Sequence, residues 1–126
     1  MYPYLLVAIG GALGSMARYG SGVLVGRMWS ASFPLGTLLI NIAGSLAMGL
    51  FIGFLARTTP SWQADARLFV AVGVLGGFTT FSSFSLDAIA MIERGEWAQA
   101  SLYIVGSVLI GLIGLYVGLL IFRWPA

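Results

Sequence analysis

Gly76-Gly77-Phe78-Thr79-Thr80-Phe81-Ser82-Ser83-Phe84-Ser85 is a polar, glycine-rich run in the middle of an otherwise apolar segment bracketed by Arg67 and Arg94. The midpoint between those arginines falls between Thr80 and Phe81. If the segment crosses a bilayer, two glycines and five hydroxyls lie near the hydrocarbon midplane. An unsatisfied polar group at that depth is costly, and irregular backbone persists there only when protein buries it or it lines a polar cavity. The run reads as a broken membrane helix with a site for an ion or small polar substrate at its centre.

The rest of the chain agrees with a membrane setting. Of 126 residues, 60% are hydrophobic and 8% charged, with mean hydropathy +1.00. Soluble domains carry roughly 25% charged residues, so this is an all-α integral membrane protein by composition. With about 20 apolar residues needed per crossing, the length allows four spans with short loops and no soluble domain. The first segment is too long for a removable signal peptide and lacks a basic start and cleavage site. There is no cysteine or histidine, and all six basic side chains are arginine. Disulfides and thiolate metal sites are thereby excluded, and two of the usual acid–base types are missing, so an enzyme is not expected. A net charge of +2 gives no argument for a nucleic-acid partner.

The four spans are expected at about residues 4–25, 35–55, 68–92 and 98–122, forming a single membrane domain over 1–126. Tyr2, Tyr4 and Trp29 suit the interface, Pro34 suits a first helical turn, and Arg123-Trp124-Pro125 closes the last span. With four spans, both termini and the second loop share a side holding Arg57, Arg67 and Arg123. The other side holds Arg27 and Arg94, plus Arg18 if it snorkels there. That balance gives no decisive positive-inside bias. A chain inserting in both orientations could assemble antiparallel. Five small-xxx-small pairs (Gly10/Gly14, Gly22/Gly26, Gly49/Gly53, Gly73/Gly77 and Gly114/Gly118) point to close helix packing and an oligomer.

The groups at depth are mostly donors and hydroxyls. Asn41 is the only amide inside an apolar span, with Thr37 one turn earlier on the same face. It either bonds a neighbouring helix or turns its two N–H groups into a cavity. Phe81 and Phe84 share a face, and a ring edge is positive; Tyr103 and Ser107 form a second stripe. No lysine or carboxylate sits at the centre, which suits a small anion bound weakly enough to leave. The carbonyls of an unwound Gly76–Thr80 segment could also hold Na⁺. Arg18 either lines an aqueous vestibule or snorkels, and Asp87 either marks a pore mouth or ends the buried part of its helix.

These motifs, with Gly10-Gly11-Ala12-Leu13-Gly14-Ser15-Met16-Ala17-Arg18-Tyr19, Gly36-Thr37-Leu38-Leu39-Ile40-Asn41 and Gly76–Phe84, resemble the Fluc (CrcB) fluoride channels over essentially the whole chain. The resemblance implies an antiparallel, dual-topology homodimer in the bacterial plasma membrane, with two fluoride pores lined by both subunits. It places Asn41, Phe81, Phe84, Tyr103, Ser107 and Thr37 along the pores. It gives the Gly76 and Thr79 carbonyls to a structural Na⁺ at the dimer axis. Ser82-Ser83 stands where many relatives have Ser-Thr, which keeps a hydroxyl. The competing reading is a small dual-topology, proton-coupled multidrug-type exporter, against which the absence of any acid in the first span counts. A non-transporting assembly factor would explain the glycines but give Asn41 and the hydroxyls no role.

Overall fold

The computed structural model describes residues 1–123; the expected interface residues Trp124 and Pro125 lie outside that range. Three long rods, α1 (Tyr2–Met28), α2 (Leu35–Thr58) and α6 (Trp97–Arg123), accompany a composite third rod. The third rod comprises α3 (Gln63–Ala66), a π-helical stretch Arg67–Leu75, α4 (Gly76–Phe78) and α5 (Phe81–Glu93). Pro34, which has no N–H to leave unsatisfied, stands at the cap of α2 and not inside its first turn. Thr59 ends α2 in the left-handed conformation, φ 42°, its N–H bonding the Leu55 carbonyl. Gly95, φ 80°, makes the tight turn between α5 and α6.

Of the four expected spans, three qualify on length and hydropathy together: Leu35–Thr58, Gln63–Glu93 and Trp97–Arg123. The chain is thus a multi-pass helical protein with an outward surface of exposed leucine, isoleucine and valine. α1, at 27 residues, is longer than the ~20 a crossing needs. Arg18 and its glycines, serines and tyrosines dilute its hydropathy.

The rods pack as two parallel pairs. Gly49 of α2 faces Leu115 of α6, and Gly53 faces Leu119, with advancing numbers on both sides. On α1, Gly10 faces Phe69 and Gly73, and Gly14 faces Val74 and Phe78, again advancing together. A methyl on Gly49 would collide with the Leu115 carbonyl, and one on Gly10 or Gly14 with those of Phe69 or Val74. Only glycine permits this backbone contact, which is what holds helices together where lipid removes the hydrophobic force. The expected glycine pairs are not equivalent. Gly22 and Gly26 meet nothing, and Gly114 has only ordinary contacts, so three complete pairs and Gly118 carry the close packing.

The π-helical stretch was not expected from the sequence. It lies where the third rod crosses the α1 glycines, and its carbonyls at Phe69 and Val74 press on Gly10 and Gly14. Such wide turns are rare, and they are frequent at functional sites. α5 returns to α6 through a small core of Ala88, Met91, Ala100 and Tyr103, with Phe84 and Phe33 against it.

Candidate functional site

The third rod is broken more narrowly than the sequence indicates. Gly76 and Gly77 remain helical; the interruption is Thr79, φ −83° and ψ 158°, and Thr80, φ −149° and ψ 116°. Gly77 has another use, since a methyl on it would stand 2.7 Å from the Gly11 carbonyl oxygen, whereas one on Gly76 would make only an ordinary contact.

A break at this depth poses an accounting problem, because each backbone donor and acceptor needs a partner. Asn41 supplies two. Its Oδ1 accepts from the Thr80 N–H at 2.8 Å, and its Nδ2 donates to the Thr80 carbonyl at 3.0 Å. The side-chain amide thus pairs with Thr80 much as a neighbouring strand would. The Thr80 hydroxyl caps α5 by accepting from the Ser83 N–H at 3.1 Å. On the other side, the Leu75 carbonyl takes the Thr79 N–H and hydroxyl, at 3.1 and 3.0 Å. Arg18 Nε donates to the Gly77 carbonyl at 3.0 Å.

Four carbonyls, Gly76 to Thr79, lose their helical donors in this arrangement, and only that of Gly77 gains a replacement, from Arg18. In a continuous helix Gly76 would accept from Thr80 N–H, which goes to Asn41, and Thr79 from Ser83 N–H, which goes to the Thr80 hydroxyl. The Phe78 carbonyl is the third at the break that no donor reaches among the described residues. No cluster of three His, Cys, Asp or Glu side chains occurs among the described residues. Oxygen ligands for a cation here would be backbone carbonyls, a donor set that fits a hard cation such as Na⁺.

Two clefts flank the break, and Thr80 lines both. The first, about 320 Å³, brings together Asn41, Thr79, Phe81, Phe84 and Ser107 from three rods. Phe81 and Phe84 stand 5.7 Å apart at 43°, and Phe81 is 79% exposed, so the cleft opens on the outer face of the chain. Ser107 Oγ is buried there without a partner. That is a hydroxyl with its donor unused, normally a cost of about 1–3 kcal/mol.

The second cleft, about 390 Å³, gathers Arg18, Thr37, Ser83 and Asp87. Arg18 neither reaches clear of the protein nor hangs free: it is half-buried, braces Gly77 and presents its charge to this cleft. Tyr103 lines neither cleft. It is 1% exposed, and its hydroxyl donates to Asp87 Oδ2 at 3.1 Å. Of the two hydroxyls on the expected stripe, Ser107 is without a partner and Tyr103 is already engaged. Tyr103 instead wedges between Phe84 and Phe33, at 5.1 and 5.6 Å.

Thr80 is the residue that sequence reasoning undervalued. The signal was present, since a threonine immediately before an apolar-periodic run is an N-cap signature. The Asp87–Tyr103 bond, between residues 16 apart on successive rods, has no such local signal.

The fold and the site define a multi-pass membrane protein organised around a polar break in one of its long helices. A family described as "CrcB-like protein, Camphor Resistance (CrcB)" matches residues 5–119. A protein of Hyphomonas neptunium named "Fluoride-specific ion channel FluC" is 50% identical over 119 residues, 94% of each chain. One of the same name from Paracoccus denitrificans is 50% identical over 122 residues, covering 97% of this chain and 95% of its own. Another, from a Caulobacter species, is 46% identical over 123 residues, covering 98% and 96%. The chain belongs to the CrcB family.

Proposed function

We propose that the protein is a passive, fluoride-selective channel that lets fluoride leave the cell and so lowers its cytoplasmic concentration. The reading is supported by near half-identity, over almost the full length, to proteins named fluoride-specific ion channels. The observation that carries it is the first cleft. An amide, an unpartnered hydroxyl and two aromatic rings converge there, with no carboxylate or lysine among the lining side chains.

Fluoride is small and strongly hydrated, so it leaves water only where several donors approach closely. The Ser107 hydroxyl, the second Asn41 N–H and the positive edges of Phe81 and Phe84 would supply them. Without a fixed cation in this cleft the ion is not trapped, as conduction requires. Arg18 would raise the anion concentration in the second cleft, where Thr37 offers a hydroxyl on the way to the break. Tyr103 would act by holding Phe84 and Asp87 in place. No acid–base chemistry is called for, so the chain is not an enzyme in this reading.

The working unit is an antiparallel homodimer of four-span chains, inserted in both orientations in the bacterial inner membrane. Exposed Phe81 and the open side of the first cleft then face the second copy. α1 is the fourth span, since it runs parallel to the third rod along a seam of backbone contact and so shares its depth. At the dimer axis the Gly76 and Thr79 carbonyls of both copies would hold a structural Na⁺, which supplies positive charge to the two helix ends.

Efflux of fluoride and of chloride from liposomes containing the purified protein, with and without a proton gradient, tests this. Fast fluoride efflux without chloride efflux, indifferent to the gradient, is expected. Flux that needs the gradient would make the protein an exporter, and no flux of either anion would refute transport.

A further inference from the structure

The two halves of the site share one hydrogen atom. Thr80 N–H can bond Asn41 Oδ1, as it does at 2.8 Å, or the Gly76 carbonyl four residues earlier, as in an unbroken helix. It cannot do both well. In the first arrangement the Gly76 carbonyl is left without a backbone donor; in the second that carbonyl is consumed and the break closes by one bond. We infer that Asn41 is a positioning residue for the cation. By holding the Thr80 N–H it keeps the Gly76 carbonyl free, and so couples the amide that lines the first cleft to the carbonyls at the break.

Three further observations favour this arrangement. Asn41 grips Thr80 at both its N–H and its carbonyl, so rotating the Thr80 N–H toward Gly76 breaks two bonds and not one. The Thr80 hydroxyl draws the Ser83 N–H away from the Thr79 carbonyl in the same manner. Arg18 meanwhile occupies the Gly77 carbonyl, one of the two that intervene, so Gly77 cannot take over as a cation ligand without displacing a guanidinium. Side chains from α1, α2 and the third rod therefore decide the pairing of the Gly76, Gly77 and Thr79 carbonyls. Coupling of this kind is reciprocal: a cation on the Gly76 carbonyl excludes the Thr80 N–H from it and so strengthens the Asn41 clasp.

The inference rests on the Na⁺ reading, and the two fail in different ways. Thermal unfolding of the purified protein is followed as Na⁺ replaces N-methylglucamine at constant ionic strength, for the parent and for Asn41→Leu, Asn41→Ala and Asn41→Asp. Leucine and alanine remove the acceptor; aspartate keeps an oxygen for the Thr80 N–H and loses only the donor to the Thr80 carbonyl. The expected result is a Na⁺ midpoint raised about tenfold or more in Asn41→Leu and Asn41→Ala, about 1.4 kcal/mol of binding. In Asn41→Asp it stays within about twofold of the parent or falls, the negative charge itself favouring a nearby cation. A parent whose unfolding ignores Na⁺ refutes the cation reading and the inference together. A responsive parent with unchanged midpoints in Asn41→Leu and Asn41→Ala, or with Asn41→Asp shifted as far as they are, overturns the inference alone.

Discussion

Along α2 and α6 the glycines meet unbroken helix: Gly49 touches Leu115, Gly118 comes against Gly49 and Leu50, and each helix runs through without a defect. Along α1 and the third rod the glycine contact is equally close, yet the facing helix is widened into π turns and then broken at Thr79–Thr80. Both pairs are parallel and both exclude side chains from the seam. They differ in what happens to the backbone polar groups. In the first pair the helices satisfy them internally, apart from the end of α6, where Arg57 donates to the Phe122 carbonyl at 2.9 Å. In the second, groups in the middle of the third rod are satisfied by side chains of other rods, Arg18 to Gly77 and Asn41 to Thr80. Glycine seams alone make a packed membrane bundle. A site requires a helix that gives up some of its own hydrogen bonds, and neighbours that replace only part of them.

Substitutions separate these two roles. The largest effect belongs to Gly49→Val, which drives a branched side chain into the Leu115 backbone. Overpacking costs about 1–3 kcal/mol or more even in cores that can relax, and backbone on both sides cannot. Loss of folded, assembled protein on size exclusion is expected, and a normal elution profile would show that the α2–α6 seam is looser than described.

Asn41→Asp comes next. A carboxylate in the first cleft opposes an anion and replaces the Nδ2 donation to Thr80 with an oxygen facing an oxygen. Fluoride efflux is expected to fall about tenfold or more, each factor of ten being about 1.4 kcal/mol on the barrier. Undiminished flux would remove Asn41 from the path.

Phe81→Ile and Phe84→Ile keep apolar volume but lose the ring edge. Efflux should drop severalfold or more with assembly intact, and normal conduction in both would end the ring-edge account. Ser107→Ala should split stability from transport. Removing a buried hydroxyl with no partner leaves stability unchanged or raises it by up to about 1 kcal/mol, while fluoride efflux falls. A loss of stability would mean the hydroxyl is paired in the assembled protein. The smallest effect is Gly22→Ala. A methyl there meets nothing within 4 Å, so stability should move by no more than about 0.5 kcal/mol. A large loss would reveal a partner surface at this end of α1.

The legible parts of this molecule are those with local causes. Apolar run lengths predict the rods, whose ends fall on the expected bounds or up to a turn or so beyond them. The hydroxyl-rich run predicts a break. Its placement came out too wide, since glycine in a sequence signals either an unwound turn or a close approach, and at Gly76 and Gly77 the helix is kept. Asn41 stood out as an amide in hydrocarbon, but not which peptide it would clasp. Arg18 had two readings, a vestibule or the headgroups; it lines the second cleft, and its bond to the Gly77 carbonyl was in neither reading. The first rod, read as a span by length, falls short on hydropathy because it carries that arginine and so many small residues.

By itself the sequence determined that the chain is helical and membrane-sized, that its third rod is interrupted near Thr80, and that its polar groups at depth are mainly amide and hydroxyl. Those facts follow from composition and spacing, which act along the chain. Only the tertiary structure decided which backbone groups stay unpaired. The Thr80 N–H goes to Asn41, 39 residues away, and the Gly77 carbonyl to Arg18, 59 residues away. Spacing cannot encode a choice made by hydrogen bonds between rods. That choice, through the carbonyls and hydroxyl it leaves over, is what turns a broken helix into a site.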